Sequence, residues 1–472
     1  MRLSIAHAAQ SYDGNASHSP YKNEETSMIR RQYACARWAG LVCACVSAGA
    51  LAQTAPPPDA QASDPARLGW MVGSPPPADK IVRKEDGSFY RFPQLRWTFS
   101  NARQLGATTN VSRGLDSPSA LPRAERADLD AVTFVPLGMT EPMTWGQAFD
   151  ANYTDGVVVL HKGRIVYERY AGVFKPDGQH LAQSLTKSFF GTIAAMLVAD
   201  GQIDQNALVT QYVPELKGSA FADATVRQVM DMRTGLKYSE NYADPKAEIW
   251  MHARAGNVLP RPPGYQGPQS FYEFLQMVQK EGEHGGAFAY KTVNSHVLGW
   301  VIRRVTGKSA GQVLSERIWS RLGMEQDAYF TVDSVGTEFA GVGLNTGLRD
   351  LARFGELMRR GGRWGGLFDG RQVIPQAVVD DIRRGGDRAA FTPAGYVTLP
   401  GWSYRNMWWV THNEHGAYMA RGIHGQAIYV DPTAEMVIAR YASHPLAANA
   451  NNDPTSLPAY HALARHLMGA TR

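Results

Sequence analysis

Ser184 and Lys187 stand three residues apart in "QSLTKSFFGTIAAMLVADGQID", residues 183–204. On a helix, positions i and i+3 share a face, so the lysine amine can reach the serine hydroxyl. In the first helical turn, backbone N–H groups favour the negative charge that develops on an attacking oxygen. A lysine held in a dry, cationic cleft loses its proton near neutral pH and acts as a base. The pair therefore reads as an activated serine nucleophile. The four-residue match alone is weak, because Ser19 and Lys22 repeat the spacing. Context separates the two: a hairpin and a polar turn precede Ser184, and an apolar helix follows it.

A second serine competes. Gly307-Lys308-Ser309-Ala310-Gly311 matches G-x-S-x-G. That motif needs a strand, a sharp turn and a helix. Here Val297, Val301 and Val305 make the preceding segment helical. Gln312 follows Ser309 by three residues, the spacing of a capping box. Ser309 is expected to cap a helix.

An S-x-x-K pair also needs a second proton-transfer group, and two tyrosines present themselves. Tyr404-Arg405-Asn406 lies in an aromatic, strand-like stretch. Tyr290, in "AFAYKTVNSHVLGW", precedes a helix and lies between the nucleophile and the last strands. Tyr290 is favoured. Its reference pKa is near ~10, and Lys187 with the helix terminus is expected to stabilise its phenolate. His412-Asn413-Glu414-His415 lacks the H-E-x-x-H order and an obvious third ligand. It is expected to form a polar turn, and neither a metal nor an organic cofactor is expected.

The elements that must position these groups follow from periodicity. "GVVVLHKGRIVYERYAG" holds two β-branched runs joined by Lys162-Gly163, a hairpin signal. Phe190, Ile193 and Leu197 place the nucleophile segment on a helix that Gly201 ends. Helical patterns follow in "TVRQVMDMRTG", "FYEFLQMVQKEG", "VNSHVLGWVIRRVTG", "SAGQVLSERIWSRLG" and "GLRDLARFGELMRRGG". Strand-like "QAIYVDPTAEMVIARYAS" and a closing helix, "LPAYHALARHLMG", end the chain. The expected fold class is α/β (α+β) and two-lobed. An antiparallel sheet from N- and C-terminal segments is flanked by helices, with a mostly helical lobe inserted.

The 472 residues are 44% hydrophobic and 19% charged, which suits one large or two modest domains. The net charge of +5 comes without a basic block, so nucleic acid is not an expected partner. All three cysteines, Cys35, Cys43 and Cys45, lie in a leader-like stretch. Arg30-Arg31, the apolar "WAGLVCACVSAGALA" and the Ala50-Leu51-Ala52 site make a secretory signal peptide with its start at Met28. Its apolar run is too short to span a membrane comfortably. Cleavage after Ala52 would leave a periplasmic or secreted protein without cysteine, which removes thiolate catalysis and disulfides. The expected divisions are a leader over 1–52, a flexible tether over 53–80, an ordered extension over 81–140 and the catalytic domain over 141–472.

"SLTKSF", "FAYKTVNSHVLGWVIRRVTGKS", "GLNTGLRDLARFGELM" and "RGIHGQAIYVDP" together resemble the serine hydrolases of the β-lactamase and penicillin-recognising fold. The branch is the one with class C β-lactamases, related esterases, D-amino-acid peptidases and nylon-oligomer (6-aminohexanoate-dimer) hydrolases. The resemblance runs from about Thr144 to the C-terminus. It implies Ser184 as the acylated nucleophile, Lys187 as its activator and Tyr290 as general acid/base. Backbone N–H groups of Ser184 and Ile423 would hold the oxyanion.

Two departures bear on substrate. Tyr290 is followed by Lys-Thr-Val-Asn rather than completing Y-x-N, leaving Asn294 as a candidate for the missing amide. Ala420-Arg421-Gly422 stands where K-T-G is found, with Arg421 as a partial substitute for the lysine. The missing lysine and threonine that grip a β-lactam carboxylate favour the nylon-oligomer hydrolase and esterase side. "NYADPKAEIW" resembles the loop that brings a substrate-contacting tyrosine, here Tyr242; a plain turn at Asp244-Pro245 is the other reading. Trp408, Gly422 and His424 are expected around the substrate.

The expected activity is hydrolysis of small amides or esters through an acyl-enzyme. Two alternatives remain: a penicillin-binding or sensor-like protein that turns over slowly, and a non-catalytic scaffold.

Overall fold

"TDGVVVLH" and "RIVYERY" form the hairpin β1 (Thr154–His161) and β2 (Arg164–Tyr170). Lys162 and Gly163 close it with φ of 53° and 73°. Two consecutive positive φ values give the turn whose twist matches that of paired strands. The computed structural model describes residues 56–242, 244–365 and 370–469. The leader and its cleavage site lie outside the described residues.

Five later strands join this hairpin: β3 (Ser403–Arg405), β4 (Trp408–Val410), β5 (Tyr418–Gly422), β6 (Gln426–Asp431) and β7 (Met436–Ala442). The sheet order is β3-β4-β5-β6-β7-β1-β2, antiparallel throughout. Met436 pairs with His161 and Arg440 with Val157, so the C-terminal strands close against the N-terminal hairpin. Every residue of β7 is buried, as a central strand covered on both faces requires.

Four helices matter for the site: α1 (Thr186–Ala199), α2 (Val293–Thr306), α3 (Leu348–Arg359) and α4 (Asp453–Leu467). α3 packs on β7, β6 and β1. On α4, Tyr460 packs against Tyr429 of β6. α1 is buried from Thr186 to Leu197; a helix apolar on all sides belongs in a core. Phe189 of α1 stacks on Phe354 of α3, with centroids 4.0 Å apart. At Gly191 a Cβ would lie 2.0 Å from the carbonyl oxygen of Asn406, so only glycine lets the β3–β4 turn cross the helix there. Short helices fill the inserted lobe between α1 and β3, among them Val226–Met230, Glu248–Ala255, Phe271–Met277 and Ala310–Arg317. No helix among the described residues is long and apolar enough to cross a membrane.

Residues 56–80 depart from the tether expectation. Pro- and Ala-rich composition predicts a solvated chain, yet Asp64 caps a turn of helix at Pro65–Leu68 and Ser63 is fully buried. The cause is a long-range clamp. Arg96, 2% exposed on the helix Leu95–Asn101, donates to Ser63 Oγ at 2.9 Å and Ala60 O at 2.5 Å. It also reaches Asp155 Oδ1 of β1 at 3.1 Å and Ser443 Oγ at 3.0 Å. A buried guanidinium needs all of these partners, and they tie residues 56–101 to the sheet. Further on, Thr108–Val111 pairs antiparallel with Ala328–Thr331.

Candidate active site

Ser184 sits in a single 3₁₀ turn, Gln183–Leu185, that runs directly into α1. Gln183 has φ of 50°, a left-handed conformation that costs a non-glycine residue about 1–2 kcal/mol. Strain of this kind is held only where the surroundings over-determine it. Thr186 Oγ1 accepts from Leu344 N at 3.2 Å, and Ser188 Oγ donates to Met407 O at 2.7 Å, pinning the first turn from both sides.

Lys187 is 1% exposed. Its Nζ donates to Ser184 Oγ at 3.0 Å and to Gly341 O at 2.8 Å. Burial pulls its pKa down to about 8, against an opposing pull from the Glu240 carboxylate. Tyr290 lines the same cleft as Ser184, and its ring lies 5.0 Å from Lys187 Nζ. The ring stacks on Trp409 at 5.5 Å and meets Tyr404 edge-on at 6.2 Å. Burial and the Glu240 charge push the Tyr290 phenol well above its ordinary range. This corrects the expected phenolate: Tyr290 holds its proton, and Lys187 is the group that titrates near neutrality.

The cleft that holds Ser184 and Tyr290 is also lined by Glu240, Tyr242, Trp409, Arg421, Ile423 and Asp453. Tyr242 is thus brought beside the nucleophile, its hydroxyl donating to Glu240 Oε2 at 3.4 Å. Glu240 lines the cleft without any sequence motif to mark it. A lone acid in a loop carries no motif; its only signal was its place two residues before Tyr242. Glu240 also accepts a hydrogen bond from Thr292 N, and burial raises its pKa. Ile423 follows β5 at the cleft wall. A Cβ on Gly422 would sit 2.7 Å from Ala182 O, so glycine permits β5 to press against the turn that carries Ser184.

Several expected residues are elsewhere. Trp408 is fully buried on the opposite face of β4, with Nε1 donating to Thr192 Oγ1 of α1 at 3.0 Å. Successive strand residues face opposite sides, so its neighbour Trp409 lines the cleft instead. Gly422 acts by close packing, not by lining. His424 adopts φ of 62° and lies among Phe99 and Tyr90 of the extension, with ring centroids at 5.2 and 5.9 Å. Its Nδ1 meets His444 O at 2.7 Å, and burial lowers its pKa to about 4. It is a neutral packing residue outside the cleft.

Asn294 is fully buried, accepting from Thr234 Oγ1 at 2.9 Å and donating to Lys291 O at 3.1 Å. Asn406 is occupied with Asp231, Asp381 and Arg227. Arg421 does reach the cleft, but Asp453 takes its charge in an ion pair, and its guanidinium packs over Trp409 and Trp402. Ser309 caps Ala310–Arg317 in the expected box with Gln312.

A buried lysine bonded to a serine hydroxyl, with a protonated tyrosine in the same cleft beside an antiparallel sheet, defines a class. The chain belongs to the Beta-lactamase family, whose model matches residues 147–457. Among curated proteins it is 36% identical over 359 residues to a 6-aminohexanoate-dimer hydrolase of Paenarthrobacter ureafaciens, covering 76% of this chain and 88% of that protein. Among solved structures it is similar to a Bacillus anthracis protein assigned as a 6-aminohexanoate-dimer hydrolase. There the TM-score is 0.76 at 32% identity, over 84% of this chain and 100% of the other. EstCE1, a hydrolase with promiscuous acyltransferase activity, shares the fold at TM-score 0.53 and 16% identity, over 68% of this chain and 96% of its own. The family and these relatives identify a serine hydrolase.

Proposed function

We propose that this hydrolase cleaves small linear amides or esters through an acyl-enzyme on Ser184, with Lys187 as base and Tyr290 as acid. The carrying observation is that Lys187 Nζ lies 3.0 Å from Ser184 Oγ while burial lowers its pKa to about 8. The neutral amine takes the hydroxyl proton as Oγ bonds to the substrate carbonyl carbon. Backbone N–H groups of Ser184 and Ile423 receive the oxyanion. As the tetrahedral intermediate collapses, the C–N or C–O bond breaks and Tyr290 gives its proton to the leaving amine or alcohol. The Lys187 ammonium restores that proton to the phenol. Water then attacks the ester carbonyl by the same route in reverse and frees the acid.

Two features of the cleft support linear substrates over β-lactams. Arg421 is already paired with Asp453, so a ring carboxylate would meet a neutralised cation beside a fixed negative charge. A charge-assisted hydrogen bond is worth about 1.5–3 kcal/mol, or about one to two decades of affinity. Tyr242 and Ile423 also border a second, mostly apolar chamber walled by Phe89, Phe99, Trp250 and Leu259. That chamber suits an extended methylene arm. A panel of p-nitrophenyl esters, 6-aminohexanoate dimer, short amides and a chromogenic cephalosporin tests this on one preparation. At least one ester or linear amide is expected to exceed the cephalosporin tenfold or more in kcat/KM. A cephalosporin preferred over all of them would overturn the substrate class.

Export completes the proposal, supported by the Arg30-Arg31 leader and the Ala50-Leu51-Ala52 site. Protein purified from its native cells is expected to begin at Gln53. An N-terminus at Met1 would refute export by this route.

A further inference from the structure

The polar turn between β4 and β5 meets α4 at a cluster that the hydrolytic reaction does not use. His412 turns away from it, its Nε2 lying 2.7 Å from Ser403 Oγ. Glu414 and His415 face the other way. His461 of α4 approaches both: its Nε2 lies 3.3 Å from Glu414 Oε1, and its ring centroid is 4.9 Å from that of His415. The donor atoms of Glu414, His415 and His461 all fall within 4.8 Å of one another.

A second observation sets this cluster apart from a surface ion pair. Asp431, whose side chain is fully buried at the end of β6, accepts from His415 Nδ1 at 2.7 Å. Its other oxygen accepts Ala434 N at 2.8 Å. The carboxylate fixes both the tautomer and the ring orientation of His415 and leaves Nε2 as the free lone pair. A carboxylate behind a histidine is the support that metal-bound imidazoles ordinarily carry. His415 is further held through its carbonyl, which accepts from Thr433 Oγ1 at 2.9 Å.

We propose that His415, His461 and Glu414 bind one divalent transition metal, best matched by Zn²⁺. Two imidazoles and one carboxylate suit a borderline ion and exclude Mg²⁺ and Ca²⁺, which demand oxygen shells. Zinc–ligand bonds of about 2.0–2.2 Å place ligands about 3.3 Å apart around a tetrahedron, the present Glu414–His461 separation. Exposed Glu414 and half-exposed His461 have the freedom to close the remaining gap. Water fills the fourth position. The role is structural: the ion staples α4 to the β4–β5 turn. It sits eight residues along α4 from Asp453, about 12 Å at 1.5 Å per residue, so it is remote from the Arg421 pair and takes no part in acyl transfer.

The test is calorimetric titration of Zn²⁺ into the untagged, EDTA-treated chain, with Mg²⁺ as control. One equivalent per chain is expected, without competition from Mg²⁺. His461→Ala and Glu414→Gln are each expected to weaken binding at least tenfold while leaving ester hydrolysis unchanged. Asp431→Asn is expected to weaken it about 10–100-fold. Because Asp431 is buried, thermal unfolding supplies a second readout on the more tolerant site: Zn²⁺ raises Tm of the parent chain and not that of His461→Ala. Absence of saturable binding, or equal binding and equal Tm gain in His461→Ala, overturns the proposal.

Discussion

Ser184→Ala is expected to lower kcat/KM by about 10⁴–10⁶-fold, the range for removing the nucleophile of a group that works as a unit. Covalent labelling by a fluorophosphonate should vanish with it. The argument rests on Ser184 being the hydroxyl that accepts from Lys187 in the cleft it shares with Tyr290. Ser309→Ala is the matched control. Its hydroxyl caps Ala310–Arg317, so its loss should cost about 1 kcal/mol of stability and leave hydrolysis nearly intact. Mass spectrometry of the labelled peptide reads the outcome directly. An adduct on Ser309 would sink the site assignment, and turnover surviving in Ser184→Ala would sink the mechanism. Labelling without ester turnover in the parent chain would instead favour the slow, sensor-like alternative.

Lys187→Met should lower kcat/KM by about 10²–10⁴-fold, the scale of general base catalysis, with labelling slowed in parallel. The parent pH profile carries the sharper test. The active base is the neutral amine, and its pKa lies at about 8. Below that value the amine is protonated, so log kcat/KM should climb with a slope near one and level off above it. Glu240 opposes the shift by raising the lysine pKa. Glu240→Gln removes that negative charge, so the acidic limb should move to lower pH. A limb that stays in place in Glu240→Gln, or that survives unchanged in Lys187→Met, would assign the titration to another group.

Local rules explain what could be read before folding. The Ser184–Lys187 contact needs only helical periodicity. The Ser309–Gln312 box needs only cap chemistry, and the β1–β2 turn needs only a Lys-Gly pair able to take positive φ. Alternation and helical stripes sufficed for a sheet closed by both chain ends, since the apolar runs at 156–160 and 426–442 had to be buried in its interior. Tyr290 was separable from Tyr404 by its place before a helix. Its protonation state was not, because that depends on how dry the cleft becomes and on a carboxylate 50 residues away in the chain.

The remaining features were decided by the tertiary structure alone. Whether Trp408 or Trp409 faces the cleft is a matter of strand parity, and a one-residue change of register exchanges the faces. His424 is carried out of the site by a single left-handed φ that no residue type announces. Residues 56–80 are ordered by Arg96, whose partners Ser63, Asp155 and Ser443 are scattered across the chain. Composition cannot foresee a clamp built from single residues. The charge of Arg421 is met by Asp453, and His415 and Glu414 find His461, only because α4 lies back along the sheet. Such pairings have no sequence period: burial of the apolar face of α4 brings the groups together, and their charges then determine what that meeting can do.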